Sequence, residues 1–167
     1  MTSYPSVTVP VAGEQLPELA IDLTRTFVIS TALATRDFQP IHHDPAAARR
    51  DGTDDIFLNA LTTAGLIGRL VTDWAGFNCR LTSLKLKLGR PAVAGRMLRL
   101  TGEVSDVASA DVTGWAVTIS VMGSTEDGVH VTAVASDVLP GGDPSSAPPA
   151  NDHAGTVSEP NAGNERE

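Results

Sequence analysis

Asn59-Ala60-Leu61-Thr62-Thr63-Ala64-Gly65-Leu66-Ile67-Gly68-Arg69-Leu70-Val71-Thr72-Asp73-Trp74 is the longest stretch with a helical period. Leu61, Ala64, Leu66, Ile67, Leu70, Val71 and Trp74 cover most of its circumference, so the sequence predicts a helix buried on most sides. Asn59 is a fair N-cap and Gly76 a stop. Gly65 and Gly68 weaken the helix, and close approach of a sheet to the helix backbone is the expected return.

Beyond residue 80 the period becomes two. Leu84, Leu86 and Leu88 alternate with Lys85 and Lys87, and Leu98, Leu100, Gly102 and Val104 alternate with polar residues. Trp115, Val117, Ile119 and Val121 form a third such set, and Val129, Val131, Ala133 and Ala135 a fourth, with His130 on the opposite face. Four half-buried strands in succession predict an antiparallel sheet. Asp111 to Gly114 and Glu126-Asp127-Gly128 read as turns, and Gly89 to Gly95 as the one longer connection.

Upstream, Leu16-Pro17-Glu18-Leu19 reads as an apolar arm. Thr24 to Thr35, rich in β-branched residues with Phe27 among them, reads as a first strand. Asp44-Pro45-Ala46-Ala47-Ala48-Arg49-Arg50 predicts a short helix, N-capped by Asp44, opened by Pro45 and stopped at Gly52. One strand, one buried helix and four antiparallel strands make an α+β layer, the hot-dog architecture. An open sheet edge and apolar flank then call for a partner.

Between the first strand and the short helix lies Asp37-Phe38-Gln39-Pro40-Ile41-His42. Pro40 forbids a helix through Gln39, so a turn can aim the Asp37 carboxylate and the His42 imidazole at one point, where they could hold a water and move its protons. The helix start beside His42 disfavours an imidazolium there. His43 reads as structural, and His42, His43 and Asp44 lack a fourth partner, so no metal is expected. Trp74 and Trp115 read as packing residues, and Cys79 has no activating base beside it in sequence.

The chain has 167 residues and a net charge of −8, with no Lys/Arg-rich block, which argues against nucleic-acid and anionic-membrane partners. No apolar run nears a membrane span, residues 1–15 carry no secretory pattern, and the lone Cys79 suits a reducing, cytoplasmic setting. Residues 1–15 are expected to be an irregular lead-in, 16–139 the hot-dog domain and 140–167 a disordered tail without a catalytic role. There is no internal repeat.

Ala34-Thr35-Arg36-Asp37-Phe38-Gln39-Pro40-Ile41-His42-His43-Asp44-Pro45 resembles the signature of MaoC-like, R-specific enoyl-CoA hydratases, an Asp-x-Asn-Pro-x-His segment between a strand and a short helix. Ser30 to Gln39, Asp55-Ile56-Phe57-Leu58-Asn59 and Val71-Thr72-Asp73-Trp74-Ala75-Gly76 are similar to one branch, the small catalytic subunit of actinobacterial heteromeric steroid enoyl-CoA hydratases. The resemblance covers residues 16–139. It implies hydration of an α,β-unsaturated thioester, with Asp37 and His42 as the acid/base pair and Asp37 taken as base. The division between them stays open. It also implies that the backbone N–H near Asn59 polarises the thioester carbonyl. Gln39, Lys85, Lys87 and Arg90 are candidate contacts for substrate and CoA, the lysines and Arg90 equally a solvated strand face. CoA belongs to the substrate, so no cofactor is expected. A second hot-dog chain carrying an OB-fold-type domain is the implied partner, as an α2β2 heterotetramer. The sequence departs from the wider family at Arg36 (usually Gly), Gln39 (usually Asn) and Asn59 (usually Gly). The rival functions are an acyl-CoA thioesterase and a non-catalytic structural subunit.

Overall fold

In the computed structural model, which describes residues 10–76, 79–110 and 114–140, Gly13 to Leu16 run beside the sheet before the first named strand. The Gly13 and Leu16 amides donate to Val104 and Gly102. Strand β1 (Leu19–Asp22) leads into helix α1 (Arg25–Ala34), a turn of 3-10 helix (Pro40–His42), α2 (Pro45–Arg50) and α3 (Ala60–Ala75). Four strands follow: β2 (Arg80–Leu88), β3 (Met97–Ala110), β4 (Gly114–Thr125) and β5 (Gly128–Pro140). They form one antiparallel sheet in the order β1-β3-β4-β5-β2, the hot-dog arrangement, with α3 packed against its inner face.

The expected strand over Thr24–Thr35 is instead helix α1, and the first strand is the Leu19 arm, which pairs with β3. Local capping and burial override the β-branched composition. Thr24 Oγ1 accepts from the Phe27 amide at 3.0 Å, which caps the helix. Val28 and Ala32, one turn apart, are buried against the core. Thr31 and Thr35 turn their hydroxyls back onto the Phe27 and Thr31 carbonyls at 2.8 Å each.

Helix α3 matches its expected span and is capped by Asn59, whose side chain accepts from the Thr62 amide. It is not buried all round. Thr62, Thr63, Leu66, Ile67, Leu70 and Val71 are buried, whereas Leu61 is 58% exposed and Gly65 is open to solvent. A Cβ at Gly65 would meet nothing within 4 Å and one at Gly68 only a Leu81 methyl at 3.9 Å, so these glycines do not receive the sheet. Burying Leu66, Ile67, Leu70 and Val71 contributes about 6–12 kcal/mol as an upper bound. That exceeds the roughly 1 kcal/mol lost at each glycine.

The sheet's inner face follows the expected alternation on β3 and β4: Leu98, Leu100 and Val104, then Trp115, Val117, Ile119 and Val121, are buried. On β5 the alternation breaks. Ser124 pairs with Val129 but Gly123 with Val131, so His130 is an additional residue in the strand. Val129 is exposed, and His130 and Val131 are both buried. The expected placement of Val129 inside and His130 outside is therefore reversed. On β2, Leu84 and Leu86 are only half-buried and Leu88 is exposed, because this strand pairs with β5 on one side only. The Glu126-Asp127 turn lies where expected, whereas residues 111–113 and the tail beyond 140 lie outside the described residues.

Candidate active site

The end of α1 fixes the first site residue. Arg36 adopts the left-handed conformation with φ 57°. Its amide donates to Leu33 O at 3.0 Å and that of Asp37 to Ala32 O at 2.9 Å, the paired bonds of a Schellman stop. Asp37 is thus placed by backbone bonds. Its carboxylate is then gripped from two sides: the Gln39 amide lies 3.3 Å from Oδ1 and Asn59 Nδ2 donates to Oδ2 at 3.1 Å.

Pro40 opens the single 3-10 turn that carries His42, a buried side chain. His42 Nδ1 donates to Phe57 O at 2.8 Å, and the ring meets Phe57 edge-on with centroids 5.1 Å apart. Phe57 can offer this carbonyl because its neighbours are tied elsewhere: Ala94 N donates to Ile56 O and Leu58 N to Ala92 O. Arg25 pairs with Asp55 just upstream, and its guanidinium holds that carboxyl below the usual carboxylate range. α2 follows as expected, with Asp44 Oδ1 accepting from Ala46 N at 2.8 Å.

His42 Nε2 lies 3.4 Å from Asp37 Oδ2. With its proton spent on Phe57 O, a neutral His42 presents Nε2 as an acceptor. An ionised Asp37 is also an acceptor. Two acceptors aimed at one place suit a molecule with two protons to give. A water seated there donates one hydrogen to each and turns its oxygen outward.

Asn59, expected to act through its backbone, is 3% exposed and uses its side chain at both ends. Its Oδ1 accepts from Thr62 N at 2.8 Å, and its Nδ2 donates to Thr35 Oγ1 at 2.7 Å and to Asp37. Among the described residues no acceptor is bonded to the Asn59 amide itself. Asp37, His42 and Asn59 are therefore brought together. Gln39 stands beside them, exposed, with its amide on Asp37. Lys85 and Lys87 lie exposed on edge strand β2, and the described contacts do not join them to the dyad. Arg90 is exposed, and its carbonyl accepts from His130 Nδ1 at 2.7 Å. Thr35, the Phe57 carbonyl, Thr63 and His130 take part in the site's framework without any sequence signal beyond their hydrogen-bonding capacity. His43 Nε2 sits 3.3 Å from Phe38 O, a local contact. No group of three or more His, Cys, Asp or Glu side chains among the described residues is arranged to hold a metal ion.

A hot-dog sheet with a carboxylate and an imidazole at the end of its helical layer defines a MaoC-like protein. The chain belongs to that family: residues 8–125 match the MaoC like domain. It is 46% identical over 123 residues to the beta subunit of 3-oxo-4,17-pregnadiene-20-carboxyl-CoA hydratase from Mycobacterium tuberculosis, covering 74% of this chain and 92% of that one. Among solved structures it is similar to a chain of the ChsH1-ChsH2 complex from Mycobacterium tuberculosis. That match has a TM-score of 0.74 and 43% identity over 78% of this chain and 99% of that one. The (R)-hydratase from A. caviae involved in PHA biosynthesis shares the fold at 22% identity, with a TM-score of 0.69 over 78% of this chain and 98% of that one. No helix among the described residues is long and apolar enough to cross a membrane.

Proposed function

We propose that this chain is the catalytic subunit of an enoyl-CoA hydratase that adds water across the α,β double bond of a steroid side-chain thioester. The observation that carries the reading is the pair of acceptors, His42 Nε2 and Asp37 Oδ2, 3.4 Å apart and each locked by its own framework. A water held by both hydrogens presents its oxygen to Cβ. As the O–Cβ bond forms, one of the pair takes a water proton and the π electrons move towards the thioester oxygen. That proton then passes to Cα as the enolate collapses, so the hydroxyl and one hydrogen of the same water both end on the substrate and the pair returns to its starting state. Both new bonds form on the face where the pair stands, so addition is syn. The Asn59 amide at the start of α3 is the proposed donor to the developing enolate oxygen, where unpaired amides and the helix dipole would act together. This chemistry needs no metal or redox cofactor, since CoA is part of the substrate.

The steroid substrate is supported by the 46% identity to a chain named for a 3-oxo-pregnadiene carboxyl-CoA. A second, different hot-dog chain with an OB-fold-type domain completes the enzyme as an α2β2 assembly. The similarity to a chain of a two-component complex supports this, and so does edge strand β2, with Leu84 and Leu86 half-buried and Leu88 exposed. Lys85, Lys87 and Arg90, exposed on and just after that strand, are the cations proposed to contact the CoA phosphates. CoA thioesters and the unpaired Cys79 suit the cytoplasm.

The test is loss of enoyl absorbance with a steroid enoyl-CoA, using this chain with its hot-dog partner. Asp37→Asn should fold normally and lose hydration by roughly 100- to 10,000-fold, the span typical of a proton-transfer group. Unchanged turnover would sink the reading. Release of free thiol by the wild type without hydration would replace it with a thioesterase.

A further inference from the structure

His130 is a buried imidazole that the hydration chemistry leaves unused. It occupies the one additional position in β5, between the residues that pair with Ser124 and Gly123. A regular strand would turn the side chain after exposed Val129 only once before Val131, and both His130 and Val131 point inward here. The bulge is built in. Gly89 N donates to His130 O at 2.7 Å and Arg90 N to Val129 O at 2.9 Å. A Cβ on Gly89 would sit 2.6 Å from Val129 O, so only glycine lets the connection come so close. Arg90 O accepts from His130 Nδ1 at 2.7 Å, which fixes the tautomer.

Burial holds the imidazole pKa below its ordinary value. In the neutral ring with Nδ1 protonated, Nε2 accepts from the Thr63 hydroxyl at 2.9 Å. Thr63 is fully buried in the first turn of α3. Its amide donates to Asn59 O at 3.1 Å, and its Oγ1 lies 3.1 Å from the same oxygen. Asn59 in turn holds Asp37 Oδ2. A continuous path of bonds therefore runs from the bulge in the sheet to the carboxylate of the dyad.

We propose that His130 and Thr63 are positioning residues for hydration. They clamp the first turn of α3 to the sheet so that the Asn59 amide and side chain keep their aim while charge develops on the thioester oxygen. The inference rests on the hydratase reading. Its ligand-side consequence is specific: substrate binding at rest changes little, and the transition state loses support. A buried pair that served stability alone would lower the melting temperature and leave kcat where it was.

Thr63→Val keeps the side chain's shape and removes the hydroxyl, and Thr63→Ser keeps the hydroxyl. In the complex with the partner chain, Thr63→Val should lower kcat ten- to hundred-fold with KM within about two-fold, and Thr63→Ser should recover most of the loss. Amide exchange at Thr62 and Thr63 should quicken in Thr63→Val and not in Thr63→Ser. If Thr63→Val does not fold, His130→Gln is read in the same way. A folded Thr63→Val with wild-type kcat overturns the proposal, as does a loss that the serine fails to restore. Absence of hydration by the wild-type complex would strike the hydratase reading instead. The exchange measurement would still decide whether His130 and Thr63 clamp the helix start.

Discussion

Asn59→Ser separates the two jobs of one buried side chain. Serine is as good an N-cap as asparagine, so the bond to the Thr62 amide survives and helix α3 loses only a few tenths of a kcal/mol. What disappears is the donor reaching Thr35 Oγ1 at 2.7 Å and Asp37 Oδ2 at 3.1 Å. A neutral hydrogen bond contributes about 0.5–1.5 kcal/mol and one to a carboxylate about 1.5–3 kcal/mol. The Asp37 side chain keeps 24% exposure, so water takes over part of the second bond. The net cost should be about 1–2 kcal/mol, a fall in Tm of roughly 3–6 °C for a domain of this size. Turnover should fall further than stability suggests, by roughly ten- to hundred-fold, because a carboxylate free to rotate no longer shares a water with His42 Nε2. Steady-state hydration with calorimetry on the same samples measures both. A serine variant with kcat within two-fold of wild type would refute the claim that Asn59 aims Asp37. Asn59→Asp keeps the cap and sets a second carboxylate against the first, so it should be slower than the serine variant, with its activity profile moved to higher pH.

Arg36→Gly should raise stability by about 1 kcal/mol, because φ 57° costs arginine what glycine does not lose; thermal melts check this, and kcat should hold because both Schellman bonds are backbone bonds. Asp137 is 1% exposed, its carboxylate oxygens complete no well-formed hydrogen bond among the described residues, and burial pushes its pKa up against the weaker opposing pull of the Val138 amide and the Cys79 thiol. With the folded value above the unfolded one, stability is greatest below the ordinary carboxylate range and falls as pH rises towards the raised value. Asp137→Asn should therefore gain on wild type by about 1–3 kcal/mol between pH 4 and pH 7 in urea titrations, and an equal gain at both pH values would refute the assignment. Gly89→Ala drives a Cβ to within 2.6 Å of Val129 O, so it should cost about 1–3 kcal/mol and slow turnover through His130, with melts and kinetics measured together.

The helix from Asn59 and the alternation on β3 and β4 were legible because each follows from a period that burial enforces. α1 was not, because its Thr, Ile and Val content favours a strand locally. The Thr24 cap is a local signal outweighed by that composition, and the other influence, burial of Val28 against the distant core, is tertiary. Asp37 and His42 could be singled out because Pro40 forces a turn between two proton-handling groups. Asn59 was placed correctly at the helix start, but the direction of its side chain depends on Thr35 and Asp37 arriving from another element. His130 was invisible for a different reason. A two-residue period assigns it to the outer face, and a bulge that changes parity leaves no mark on composition.

That bulge also sets where the gene can change length. Deleting the His130 codon would leave Val129 opposite Ser124 and Val131 opposite Gly123 as successive rungs, with Val131, Ala133, Ala135, Asp137 and Leu139 keeping their sides. Deleting a residue a few places later would turn the rest of β5 inside out and put its polar residues into the core. The strand can thus gain or lose its buried histidine in one mutational event without rewriting its neighbours. Loss of that histidine should keep the fold while releasing Thr63 from the sheet, whereas a deletion elsewhere in the strand should not fold.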